Sequence, residues 1–227
     1  MTESLTGSQT GPLAGPRTGP LAGPPSPSAP AASSEVVGLL LAAGGGRRLG
    51  GCPKALLEHR GELFVERAAR ALRNGGCTRV HIVLGATADV VREQAKLPGC
   101  TLVDNPDWHE GMGSSVRAGL ASLRGSGAGA ALVCLVDQPG VGAAAVSRVR
   151  AAFRSTATLA AATYGGERGH PVLFGADHWD GIAVSATGDR GARAYLEEFA
   201  AAVTAVECGD VADPYDIDTM SDLERLE

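Results

Sequence analysis

The sequence predicts an α/β fold built on one mostly parallel sheet whose strands alternate with helices. Three observations point there. Val36–Leu41 and Ala131–Val136 are continuous apolar runs, as in strands buried on both faces. Helical stretches separate most of the strand-like runs, the pattern of a parallel sheet with crossover helices. The segments richest in glycine and polar residues nearly all follow a strand, which is where such sheets bind ligands.

The elements are expected in this order. After the first strand and a glycine-rich loop comes a helix over Glu62–Leu72, then a strand over Val80–Leu84 and a helix over Ala88–Gln94. Thr101–Val103 reads as a short strand, and Ser114–Leu123 as a helix that Ser114 would cap. Ala131–Val136 leads to a helix over Ala143–Phe153, and Thr158–Ala162 and Val172–Phe174 read as strands flanking a loop. A helix over Ala192–Phe199, a strand over Val203–Val206 and a closing helix over Met220–Leu226 complete the chain.

A chain of 227 residues fits one domain, or one domain with a tail. Residues 1–34 hold seven of the thirteen prolines, and Thr10–Pro16 repeats as Thr18–Pro24. So few large apolar side chains cannot offset the entropy of ordering. A disordered tail over 1–34 and a domain over 35–227 are therefore expected. The net charge of −5 argues against general nucleic-acid binding, which needs a basic face, but leaves room for one nucleotide. No apolar run approaches the ~20 residues of a membrane span, and no basic-then-apolar leader is present. The five scattered cysteines, Cys52, Cys77, Cys100, Cys134 and Cys208, suit reduced thiols, so a cytoplasmic location is expected.

The first chemical stretch runs from Leu41 through Ala42, Ala43, Gly44, Gly45 and Gly46 to Arg48 and Lys54. Small residues let the backbone approach a ligand, and successive N–H groups can cradle phosphate oxygens. Two better-known loops are excluded. Gly46 and Gly51 have Walker A spacing, but Cys52 follows where lysine is required; Leu49 occupies the third glycine position of a dinucleotide fingerprint. A second stretch, Asp104–Val116, is a loop running into a helix start, where N–H groups and hydroxyls can read a base edge or a phosphate. Within it Trp108 reads as a packing residue and His109 as a surface residue. Asp137 ends a buried strand, as either a partial Mg²⁺ ligand or a helix cap. Asp216 and Asp218 alternate onto one side of an extended segment, and Thr219 with Asp222 has capping-box spacing. His170, Asp189 and Arg190 fit ligand contacts or turn-forming roles equally well.

Five of these segments, in order, resemble the MobA-like NTP transferase family. Leu41–Lys54 resembles its L-A-A-G-x-[SG]-x-R-[ML]-G…K signature, with glycine at 46 where many members have serine and one extra residue before the lysine. Asp104–Val116 resembles N-P-x-W-x-x-G-M-G-x-S, Leu135–Pro139 resembles V-D-Q-P, and Asp216–Leu223 resembles D-x-D-T-P-E-D-L, with Met220 and Ser221 replacing proline and glutamate. The fifth match lies on the acceptor side, in Gly169–Phe174 and Thr187–Arg193. The likeness spans Val36 to Leu226. It implies a three-layer Rossmann-like, GT-A-like nucleotidyltransferase fold. It further implies that Leu41–Gly46, Lys54, Gly111 and Ser115 bind the nucleotide, that Asp137 and Asp218 hold Mg²⁺, and that Arg48, Lys54 and Asp137 are catalytic. His170, Asp189 and Arg190 would face the acceptor.

The reaction so implied moves a nucleoside monophosphate from an NTP to a phosphorylated small molecule and releases pyrophosphate. Family members that use GTP tend to carry Leu-Ala-Gly-Gly, so the Ala42-Ala43 pair points to CTP, with molybdopterin as the leading acceptor and a molybdoenzyme or its accessory protein as a partner. Two alternatives stay open: another phosphorylated metabolite as acceptor, or an oxidoreductase or accessory protein built on the same domain.

Overall fold

The computed structural model describes residues 35–46 and 49–226. The expected tail over 1–34 and the expected phosphate ligand Arg48 lie outside the described residues.

Seven strands form one sheet: β1 (Val36–Ala42), β4 (Val80–Leu84), β5 (Cys100–Asp104), β6 (Ala130–Leu135), β7 (Leu159–Tyr164), β8 (Glu167–Gly175) and β9 (Val203–Glu207). Their spatial order is β5-β4-β1-β6-β8-β7-β9. Only β8 runs antiparallel to its neighbours, so the sheet is mixed but mostly parallel. Alternation along β1 divides the core. Leu40 and Ala42 face the side covered by α1 (Phe64–Asn74), α2 (Ala88–Gln94) and α4 (Ala143–Arg150). Leu39 and Leu41 face α3 (Met112–Leu123), α5 (Trp179–Ser185) and α6 (Arg193–Glu198). The result is the expected three-layer α/β fold. Among the described residues no helix is long and apolar enough to cross a membrane.

Several local expectations are corrected. Glu62 and Leu63 pair with His59 and Glu58 in a small hairpin, β2 (Glu58–His59) with β3 (Glu62–Leu63), so α1 begins two residues later than its periodicity suggested. Ser114 does not cap α3, which begins at Met112 with Gly111 before it; the Ser114 hydroxyl instead donates to the Gly111 carbonyl at 2.8 Å. Gly169–Pro171 is not a loop: β8 runs through it. Met220–Leu226 is 3-10 rather than α-helical. The short α5 was not predicted at all, because its seven residues offer barely two turns of periodicity and include Gly181.

The α1–α4 contact depends on one absent side chain. Gly75 closes α1 with ordinary negative φ, yet a Cβ there would overlap Val146 of α4. We expect Gly75→Ala to destabilise the fold by about 1–3 kcal/mol through overpacking. Adding Val146→Ala should restore part of that loss by vacating the space. Urea unfolding of the single and double variants checks it; equal stability of Gly75→Ala and the parent would refute the packing argument.

Candidate functional site

The site lies at the carboxyl ends of β1 and β6, which are adjacent and parallel. Lys54, in a short 3-10 turn after the glycine loop, reaches Asp137 Oδ2 at 2.7 Å and Asp218 Oδ1 at 2.6 Å. These contacts join residues 83 and 164 positions apart. The segment carrying Asp218 is laid against the end of β6 by three further links. The Ile217 amide donates to the Asp137 carbonyl at 2.9 Å, Gln138 Nε2 donates to Asp216 Oδ1 at 2.9 Å, and the Ile217 side chain is fully buried in the core.

Two carboxylates thus hold one ammonium, and a third, Asp216, stands nearby on Gln138. Burial alone would lower the Lys54 pKa, but Asp137 and Asp218 outweigh it and hold the group above its ordinary value. Asp216 is shifted upward, first by burial and then by the charges of Asp137 and Asp218, against the hydrogen bond from Gln138. Asp222 plays the structural role its spacing suggested: its carboxylate accepts from the amides of Asp218 and Thr219.

A cavity of about 360 Å³ opens beside this cluster. Its wall includes Leu41, Ala43 and Gly44–Gly46 from the loop, Gly111 and Ser115 from the start of α3, and Lys54 with Asp137. Ala42, nominated with its neighbours, does not line it, because strand alternation turns its side chain into the opposite core layer. Gly46 sits at φ +63°, and a Cβ there would overlap the Cys52 carbonyl. This loop conformation therefore requires glycine at position 46. Gly111, at φ +102°, is needed for the same reason and lies against Gly188 and Asp189.

Trp108 packs over Gly45 and Gly85, as its packing role suggested, but it also lines the cavity together with the exposed His109. Asn105 was quoted within a motif and given no role. It is 3% exposed, and its Nδ2 donates to both Ser114 and Ser115 hydroxyls at 2.9 and 3.1 Å. It fixes the start of α3, whose Gly111, Met112 and Ser115 line the cavity. The Asn-Pro pair, a turn former, was the available signal.

A second cavity of about 530 Å³ adjoins the first and shares Leu41, Met112 and Asp189 with it. His170, Asp189 and Arg190, nominated for the acceptor, all line this second cavity. Arg168 and Arg193 line it as well and were given no role, Arg193 although it closes the Thr187–Arg193 stretch. The Tyr164 hydroxyl donates to the His170 carbonyl at 2.6 Å. By area the imidazole is only partly screened, yet protein atoms enclose it. Burial lowers its pKa to about 4 against the opposing pull of Asp137, leaving it neutral at pH 7.

The chain is similar in sequence and in fold to known proteins. The family model described as the MobA-like NTP transferase domain matches residues 38–204. A relative from Paenarthrobacter nicotinovorans named nicotine blue oxidoreductase is 40% identical over 198 residues, covering 84% of this chain and 96% of that protein. A crystal structure of a homologue of Mycobacterium tuberculosis Rv0371c, from Mycobacterium sp. strain JC1, superposes with a TM-score of 0.74 at 32% identity, covering 85% of this chain and 95% of the other. The structure of Rv0371c from Mycobacterium tuberculosis H37Rv in complex with manganese gives 0.68 at 27% identity, covering 85% and 97%.

The charge cluster has a pH signature. Because the folded Lys54 pKa is raised, its contribution to stability is complete below the unfolded value near 10.5 and is lost only as pH rises through the folded one. Lys54→Met removes the ammonium that Asp137 and Asp218 share. Its melting temperature should fall below the parent near pH 7, and the gap should narrow in acid, where the upward-shifted Asp216 carboxyl takes up a proton and lessens the repulsion. A gap independent of pH would show that the ammonium does not balance this cluster.

Proposed function

The chain belongs to the MobA-like NTP transferase family, a family of nucleotidyltransferases, and on that premise we propose that it transfers a nucleoside monophosphate, CMP from CTP in first place, to a phosphorylated small-molecule acceptor. The observation that carries this reading is the Lys54 ammonium held by Asp137 and Asp218 at the edge of a glycine-walled cavity.

The donor set fits a hard divalent cation. Two carboxylates already converge on one positive centre, and Mg²⁺ or Mn²⁺ takes a few carboxylate oxygens and completes its octahedron with phosphate oxygens and water. Among the described residues no group of three or more His, Cys, Asp or Glu is placed to hold a metal ion, so the two carboxylates would need phosphate oxygens and water as co-ligands. Asp137 and Asp218 are the residues that would hold the ion, which would supply charge neutralisation at the phosphates. The manganese complex of Rv0371c supports a divalent metal on this fold.

In the reaction an acceptor phosphate oxygen attacks the α-phosphorus of the NTP. A new P–O bond forms, the bond from the α-phosphorus to its bridging oxygen breaks, and the electron pair leaves with pyrophosphate. The nucleophile is ionised at neutral pH, so no proton need be removed. The chain contributes position and charge: the amides of Gly44–Gly46 and of the α3 start face the triphosphate, and Lys54 turns from the carboxylates to the phosphates. Arg48 would add a second phosphate contact. Molybdopterin is the acceptor we place first, with a molybdoenzyme or its accessory protein as the recipient and the cytoplasm as the setting; another phosphorylated metabolite would use the same geometry. One observation favours a different reading. The 40% identity with a protein named an oxidoreductase, over nearly all of its length, supports redox chemistry on this domain.

Pyrophosphate release with each NTP, with and without Mg²⁺ or Mn²⁺ and molybdopterin, separates these readings. Metal-dependent release with CTP supports transfer. No release with any NTP, together with reduction of a dye by a reduced nicotinamide, would replace transfer by the oxidoreductase reading. Within the transferase reading, Asp137→Ala and Asp218→Ala should each lower kcat by about a hundredfold or more with the fold intact. Unchanged turnover of Asp137→Ala at saturating metal would remove its assigned role. Ala43→Gly should weaken the CTP-over-GTP preference by about tenfold, because the methyl group on the cavity wall excludes the larger ring. A parent enzyme that prefers GTP would overturn the choice of CTP. A chain starting at residue 34 should keep both melting temperature and activity; loss of either would show that the tail belongs to the working protein.

A further inference from the structure

The two carboxylates that would hold a divalent cation are already engaged. Lys54 Nζ donates to Asp137 Oδ2 at 2.7 Å and to Asp218 Oδ1 at 2.6 Å, so one ammonium occupies the point on which both converge. An ion of the Mg²⁺ class needs its oxygens at about 2.0–2.1 Å. It cannot take this pair of oxygens while the ammonium lies between them, and at such range two positive centres repel strongly. The Lys54 and Asp137 side chains are mostly withdrawn from solvent, which limits screening of that repulsion.

The ammonium has another place to go. Its backbone is anchored: Ala55, the next residue, is 1% exposed, and the Leu57 amide closes the short turn by donating to the Lys54 carbonyl. The flexible four-carbon stem of lysine swings about such an anchor. Beside it lies the smaller cavity, lined by Lys54 itself and by Gly44–Gly46. Phosphates arriving there present a rival set of anionic oxygens to the same ammonium.

We infer that Lys54 is a resident counter-ion that closes the cation site while nucleotide is absent, so that a divalent ion takes Asp137 and Asp218 only once a triphosphate draws the ammonium into the cavity. The inference rests on the proposed metal role of the two aspartates. It goes beyond that role by giving the lysine a second task and the binding an order: phosphates enter before the ion or with it, and the ion does not enter alone.

Binding of Mn²⁺ alone to the metal-free full chain, without nucleotide, is followed by loss of the free-ion electron paramagnetic resonance signal. Lys54→Met should bind Mn²⁺ at least about tenfold more tightly than the parent, because the competing charge is gone. Mn²⁺ should also raise the melting temperature of Lys54→Met more than that of the parent, since the ion replaces the missing positive centre. Lys54→Arg keeps the charge and should bind Mn²⁺ within about twofold of the parent. Adding Asp137→Asn to Lys54→Met should remove the gain. If Lys54→Met does not fold, Lys54→Gln takes its place. If neither folds, the parent decides: saturable Mn²⁺ binding without nucleotide that Asp137→Asn abolishes overturns the inference, and its absence upholds it. Equal Mn²⁺ affinity of the parent and the neutral variant also overturns it. So does a gain that survives Asp137→Asn, because the ion would then sit elsewhere. Tighter Mn²⁺ binding by the neutral variant, in a protein that releases no pyrophosphate from any NTP, would uphold the lysine's part and remove the transferase reading. Metal-dependent pyrophosphate release by a parent that binds Mn²⁺ as well as Lys54→Met does would have the opposite meaning.

Discussion

One ammonium organises this site. Lys54 lies between Asp137 and Asp218 and so joins the loop after the first strand, the end of the central sixth strand and a segment near the end of the chain. Without a positive centre, Asp137, Asp216 and Asp218 would repel one another in a partly desolvated setting. The segment bearing Asp218 is also tied down by the buried Ile217 side chain and by a short run of hydrogen bonds to residues 137–140. The pairing is only partly screened, with side-chain exposures of 18%, 20% and 42% for Lys54, Asp137 and Asp218. Incoming phosphates and a cation can therefore reach the same point from solvent.

The rest of the architecture serves that convergence. Placing β1 beside β6 brings two parallel strand ends together, and each delivers a functional loop on the same edge of the sheet. The reversed β8 does something different. Because it runs against its neighbours, its early residues, including His170, arrive at that edge from the opposite direction. Its later residues, Val172 and Phe174, pass beneath the second cavity. A single change of strand direction thus supplies both a polar contact near Asp137 and the apolar floor.

Most of the framework was legible in the sequence. Buried parallel strands write themselves as unbroken apolar runs, and β1, β4 and β6 were read correctly from them. The glycine loop and Asp137 stood out because they directly follow such a run, whereas Lys54 and Asp218 were singled out through the family likeness. What was illegible depended on contacts distant in sequence or on very short elements. The Lys54 bridge joins residues too far apart for any local pattern. Helix α5 and the β2–β3 hairpin are too brief to show a period. Ser114 has the composition of a cap, but the hydrogen bonds from buried Asn105 let α3 begin earlier at a glycine whose positive φ no pattern of hydrophobicity reveals. Ala42 turns its side chain into the opposite core layer from Leu41 and Ala43, as alternation along a strand requires.

Leu41, Met112 and Asp189 belong to the walls of both cavities. Met112 is the adaptable one, an unbranched thioether 37% exposed at the first position of α3. A guest that moves this side chain from one side alters the surface met from the other. Thermodynamic linkage makes such an effect reciprocal: whatever factor the first guest applies to the affinity of the second, the second applies to the first. The partition is therefore a coupling element as well as a boundary, and the order in which two guests arrive alters the path between states but not the energy they share.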